Sequence, residues 1–210
     1  MPLEPIDLLR LNLSLRFSLP SPTRLASLEP VAGDPVPRLH VARLPQGYAL
    51  HFHHGTPQRL IEYLTALGPD RLFGQPEAMK DLLGNDGWSG RRWTGCSNPI
   101  ASAHIEGVSP MEGSPEVRRL GRRFEIWEGG RAVAWAWSVR ENARAAEVAV
   151  GIASASRGDA VLPWAVGAWA NDILRAGKVA FYSWGERDIG SEGLARKLGA
   201  EWFATSLAYL

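Results

Sequence analysis

The chain has 210 residues, 45% hydrophobic, with 23 basic against 22 acidic side chains and a single cysteine. That is room for one domain with an extension, or for two small halves. Balanced charge without a like-charged block excludes a counterion-releasing nucleic-acid surface, the lone Cys96 excludes an intrachain disulfide framework, and no apolar run reaches the ~18 residues that cross a bilayer. Acids precede any apolar run at the start, so the expectation is a cytoplasmic protein with neither nucleic-acid nor membrane partners.

From Met1 to Pro37 prolines punctuate the chain, leaving Leu8 to Leu19 open to either helix or strand. A strand is predicted at Tyr48 to His53, a helix at Pro57 to Leu67 with proline at its start, a short strand at Arg71 to Gly74 and a helix at Pro76 to Leu83. His51 and His53 share a strand face, a spacing that can chelate, but no cysteine or carboxylate in that segment completes a set, and no metal is assigned. Gly84 to Gly90 signals a turn and Val108 to Pro115 reads as a linker. The expected domains are therefore an α/β extension over 1–115 and a core over 116–210.

The second part opens on R-R-F-E-I-W-E, then Gly129-Gly130, then R-A-V-A-W-A-W-S-V, a hairpin signal between alternating strands. Period two puts Val133, Trp135, Trp137 and Val139 on one face, and Ala132, Ala134 and Ala136 on a face open to a close-packed helix or ligand. A third strand, Glu147 to Ile152, sets Val148, Val150 and Ile152 against Glu147, Ala149 and Gly151. A small-residue loop follows, then a helix at Val161 to Leu174 that is apolar nearly all round, a strand at Val179 to Trp184, a helix from Asp188 to Leu198 and a last strand at Trp202 to Leu210. The apolar alternation of that strand suits edge pairing in a homodimer. Nine tryptophans, concentrated after residue 87, point to a large apolar core or pocket in this half.

The strand, small-residue loop and helix form a recipe for holding a phosphate-rich ligand. Here R-G-D-A-V-L (Arg157 to Leu162) occupies the place of a Q/R-x-x-G-x-G/A loop, and D-I-G-S-E-G-L-A-R-K-L-G (Asp188 to Gly199) that of N-x-x-S/A-x-x-L-x-x-K-L-G. In these motifs, over roughly Arg122 to Leu210, the chain resembles the GNAT superfamily, the general-control-related N-acetyltransferases. The resemblance implies an α+β fold, a mixed and mostly antiparallel sheet flanked by helices, with the N-terminal α/β half compatible with a degenerate copy. It implies acetyl-CoA as acyl donor and a small-molecule or protein amine as acceptor. Arg157, Gly158, Asp159, Ala160, Val161 and Leu162 would then hold the pyrophosphate, backbone N–H groups at Gly151, Ile152 and Ala153 would polarise the thioester, and Asp188 and Ser191 would occupy the second cofactor motif.

The sequence departs from the pattern at Asp159, Leu162 and Asp188. Ala195 stands where many relatives carry the tyrosine that protonates the leaving thiolate. Asp159 and Asp188 suit helix N-termini equally well. The remaining chemistry falls to Glu147 as general base, on the strand face of Ala149 and Gly151, and to Tyr182 as general acid. The rival expectation is a catalytically degenerate GNAT-fold module with a binding or regulatory role.

Overall fold

The computed structural model describes residues 2–27, 36–76, 79, 97–107, 115–153 and 158–210, with the side chains of 158 and 159 left aside. The expected helix after Pro76, the turn at Gly84 to Gly90 and most of the linker lie outside them. The chain forms two compact units, Met1–Ala101 with Ala204–Leu210, and Ser102–Phe203. This division differs from a single boundary near residue 115, because the end of the last strand returns to the first unit.

In the first unit, Pro5 at the first turn starts helix α1 (Pro5–Leu13), which buries Leu8, Leu9, Leu11 and Leu13. The segment left open in the sequence is thus helix followed by strand. Its sheet orders β1 (Phe17–Ser21), β2 (Arg24–Ser27), β4 (Gly47–His53), β3 (Leu39–Leu44) and β11 (Glu201–Tyr209) side by side. β2 and β4 are parallel; the other neighbours are antiparallel. Helix α2 (Gln58–Leu67) ends at Gly68, whose φ of +80° only glycine adopts readily. Pro69 then starts α3 (Pro69–Gly74), which corrects the strand expected at Arg71 to Gly74. Leu72 of α3 joins Leu39, Val41, Phe52, Leu64 and Tyr209 in the core, and the Tyr209 hydroxyl donates to the Leu72 carbonyl. β11 is no free edge: β3 pairs with it on one side, and on the other the Ser97 N–H donates to the Ala208 carbonyl at 2.9 Å. The edge expected to serve a homodimer is occupied within the chain.

The second unit runs β5 (Ile100–Ile105), β6 (Glu116–Leu120), β7 (Arg123–Glu128), β8 (Arg131–Glu141), β9 (Ala145–Ile152), α4 (Gly158–Arg175), β10 (Val179–Gly185) and α5 (Ile189–Lys197). Its strand order is β5-β10-β9-β8-β7-β6, an antiparallel meander with β10 parallel to β9. This is the expected mixed sheet flanked by helices. Gly129 and Gly130, at φ of +56° and +79°, make the tight turn between β7 and β8. The alanine face of β8 does receive a helix: Ala134 and Ala136 pack with Leu162, Val166, Trp169 and Ile173 of α4. Trp169 is fully buried, its indole N–H donating to Ser138 Oγ at 3.0 Å. The helix starts at Gly158 rather than Val161, which places Pro163 inside it as its sixth residue, where the missing N–H leaves one i→i−4 bond unmade. Among the described residues, no helix is long and apolar enough to cross a membrane.

Candidate functional site

The parallel pair of the second unit comes apart. β9 and β10 are in register only as Val179 with Ala145, Ala180 with Ala146 and Phe181 with Glu147. Beyond that point β9 continues to Ile152 and β10 to Gly185, while β9 stays paired to β8 as far as Ile152 opposite Ala134. The strands therefore diverge in a wedge whose apex lies between Glu147 and Phe181. Peptide groups alternate along a strand, and the Ala153 N–H is spent on the Val133 carbonyl at 3.0 Å. The same alternation gives Gly151 to β8 and turns the peptides of Val150 and Ile152 into the wedge. Of the three backbone donors expected, Ile152 alone meets the requirement; Gly151 and Ala153 do not. Gly151 has another reason to be glycine, since a Cβ there would fall inside the Trp135 indole that lies over it.

Between the wedge and the two helices is a pocket of ≈ 420 Å³. Val150 and Ile152 of β9, Leu162 of α4, Tyr182 of β10 and Asp188, Ser191, Leu194 and Lys197 around α5 line it. An apolar wall with a few converging polar groups is the usual make-up of a small-molecule site. Five expected site residues, Ile152, Leu162, Tyr182, Asp188 and Ser191, thus meet in one place. Leu162 is buried in the core as well as lining the pocket.

Asp188 is the N-cap of α5. Its Oδ1 accepts from the Ser191 N–H at 3.1 Å and its Oδ2 from the Ser191 hydroxyl at 2.7 Å. The backbone bond, then the hydroxyl bond, hold its carboxyl below the usual range. Tyr182 follows directly on the last paired residue of β10 and stacks on Trp184 with 5.4 Å between ring centroids. It is 3% exposed. Burial lifts its hydroxyl above the ordinary tyrosine range, the nearby Ser191 side chain pulls the other way, and the Asp188 charge adds to the lift. Ala195, at the tyrosine place of the resemblance, is turned into the core with Leu198.

Glu147 is not in the pocket. Alternation along β9 sends it to the opposite face of the sheet from Val150 and Ile152, where its side chain, 4% exposed, meets Arg140 Nη1 at 3.0 Å. Glu147 and Tyr182 accordingly flank the apex from opposite faces. Of the expected phosphate loop, Arg157 lies outside the described residues. The backbone of Gly158, Asp159, Ala160, Val161 and Leu162 forms the first turns of α4 rather than a loop.

His51 and His53 do not work as a pair. His51 is buried edge-on against His40, with ring centroids 5.7 Å apart, while His53 Nδ1 accepts the Gly55 N–H at 3.1 Å. One cluster escaped the sequence because its members come from the ends of two strands: His104 Nε2 is 3.2 Å from Glu106 Oε1 and 3.8 Å from Glu201 Oε2. The buried His104 Nδ1 has no partner, whereas a metal-bound imidazole would carry a proton there and need an acceptor.

No family model matches the chain, and neither does any curated protein. Several solved structures are similar to it. One is a protein from Novosphingobium aromaticivorans assigned to the GNAT family of acetyltransferases, with 16% identity and a TM-score of 0.45 over 57% of this chain and 67% of that one. Another is a GNAT-family acetyltransferase from Colwellia psychrerythraea, with 8% identity and a TM-score of 0.45 over 56% of this chain and 58% of that one. A third is a GCN5-related N-acetyltransferase-like protein from Streptococcus suis, with 13% identity and a TM-score of 0.46 over 83% and 84%. The second unit itself runs as a meander followed by helix, parallel strand, helix and strand, the element order that the resemblance in its motifs implies.

Proposed function

We propose that the chain is a cytoplasmic acyltransferase that moves an acetyl group from acetyl-CoA to a small-molecule or protein amine. The observation that carries this is the wedge between β9 and β10, which opens peptide groups beside a pocket and brings Tyr182 and Glu147 to its apex. An amide-rich pantetheine arm suits such a wedge, because it can take up the hydrogen bonds the strands do not give each other. The neutral amine attacks the thioester carbon, a C–N bond forms and the carbonyl electron pair moves to oxygen, where the Ile152 N–H supports the charge. Collapse of that intermediate breaks the C–S bond. The sulfur takes the Tyr182 phenolic proton, and the nitrogen gives its proton to Glu147 from the other face, directly or through water.

Calorimetric titration with acetyl-CoA and CoA tests the donor site: micromolar binding is expected, and no binding at millimolar ligand sinks the proposal. In a thiol-release assay over a panel of amines, Tyr182→Phe and Glu147→Gln should each lower kcat by about 10²-fold or more, the lower range for a lost general acid or base. A second reading, a module that binds acyl-CoA without transfer, is favoured by the Arg140 ion pair, which occupies the Glu147 carboxylate. Binding with no thiol release for any amine would select it.

A further inference from the structure

We propose that the sheet face carrying Glu147 binds the acceptor, and that the acceptor is an aromatic primary amine whose ring stacks on Trp137. This rests on the transferase reading above and names its acceptor class. Trp135 and Trp137 of β8 stand opposite Gly151 and Ala149 of β9, so they share the face of Glu147 and turn away from the pocket. Two other indoles or flanks of this face are already covered by arginine. The Arg118 guanidinium lies over Trp127, 4.1 Å from the ring centroid, and the Trp127 indole N–H donates to Glu125 at 2.9 Å. The Arg123 guanidinium lies over Trp135 at 4.3 Å. Arg123 is paired across the strands with Trp137 but leans diagonally onto Trp135, and so leaves Trp137 uncovered. Among the described residues, Trp137 is half-buried and has no ring, cation or hydrogen-bond partner.

Reach and charge decide what fits there. Trp137 faces Ala149, a small residue, and Glu147 is the next side chain of β9 on this face. Diagonal neighbours across two strands lie about 7 to 8 Å apart, so a group on Trp137 is not the reacting nitrogen but its carrier, joined to it by a short linker. The carrier is neutral. On this face Glu116 is taken by Arg118, Glu125 by Arg123 and Glu147 by Arg140, which leaves among the described residues no carboxylate for a second ammonium and no guanidinium for an acidic acceptor. A ring needs neither: it stacks on the indole while its amine reaches the Glu147 carboxylate. An aliphatic amine reaches the same carboxylate but forgoes the aromatic pairing.

A thiol-release assay with phenethylamine, butylamine and putrescine reads the preference: KM should be lowest for phenethylamine by about tenfold, near the upper end for one aromatic pair. Trp137→Ala should remove that preference, and Trp137→Phe, which keeps a ring, should retain it. The indole N–H signal of Trp137 in nitrogen-labelled protein, identified by its loss in Trp137→Phe, gives a readout that needs no turnover. Phenethylamine should shift it saturably, with or without CoA present, and butylamine should not. Thiol release with equal KM values for the three amines, or with the lowest KM for putrescine, overturns the inference and leaves the transferase reading standing. A Trp137 signal that stays unmoved both with and without CoA overturns it whatever the assay shows. If no amine releases thiol but the signal shifts saturably with phenethylamine alone, the aromatic site stands and the transferase reading fails.

Discussion

Each unit sets a polar pair across two antiparallel strands, both members buried in the first and Glu147 buried beside a part-exposed Arg140 in the second, yet the two pairs are held in opposite ways. In the first unit His40 faces His51 between β3 and β4; in the second Arg140 faces Glu147 between β8 and β9. The second pair is a cation against an anion at 3.0 Å and is secured by charge. The first is two like bases, each with a buried Nδ1 that has no partner, and it is secured only while both stay neutral. Burial holds His40 down to about 3, with the charges of His51 and Arg16 adding to it, and holds His51 down to about 4, with Arg10 adding. The lesson is that burial alone does not make a polar pair robust: complementarity tolerates protons, and neutrality does not.

The contrast breaks most severely at Arg140. Arg140→Ala leaves the Glu147 carboxylate buried beside no guanidinium and should cost about 3 kcal/mol in urea unfolding at pH 7; a loss below about 1 kcal/mol would mean that the pair is not what holds Glu147. Next comes acid. Both histidines have folded values below the unfolded 6.5, so their stabilisation is complete above that pH and is lost as pH falls toward 4, where the unfolded chain takes up protons that the folded chain refuses. Between pH 7 and pH 5 the loss should be about 2 to 4 kcal/mol, and it should shrink in a His40→Gln, His51→Gln double variant; an equal slope in that variant refutes the assignment.

Gly151→Ala asks whether the tolerance of the second unit extends to packing. The new methyl must displace the Trp135 indole, for about 1 to 3 kcal/mol and a blue or red shift in tryptophan emission, and an unchanged Tm would show the indole to be free to move. Asp188→Ala should do least, a small drop in Tm for a lost cap, and an unchanged Tm would show that the cap adds nothing to stability.

What the sequence could announce was local. The meander, its Gly129-Gly130 turn, the all-round apolar α4 and the capping capacity of Asp188 depend on spacing within one segment, and they are found as expected. β6 left no such trace, because Glu116 to Leu120 are all exposed and so lack an alternating buried face. α3 was misread as a strand because a short apolar run does not reveal its period, while Pro69, which decides the matter, stands just ahead of it. The site was legible as a set of residues but not as a shape. Nothing in Glu147 or Phe181 tells where two strands far apart in the chain stop pairing, and that limit decides which peptides face the pocket and which face of the sheet Glu147 serves.

The course of β11 has a bearing on how the chain is made. Glu201 to Phe203 belong to the second unit and Ala204 to Leu210 to the first, so the strand that pairs with β3 leaves the ribosome only after the whole second unit has been synthesised. Until then, the flank of β3 that receives Thr205 to Tyr209 stays open, and Leu72 waits for the Tyr209 hydroxyl. The first unit is thus begun before the second is made and closes its sheet only after it.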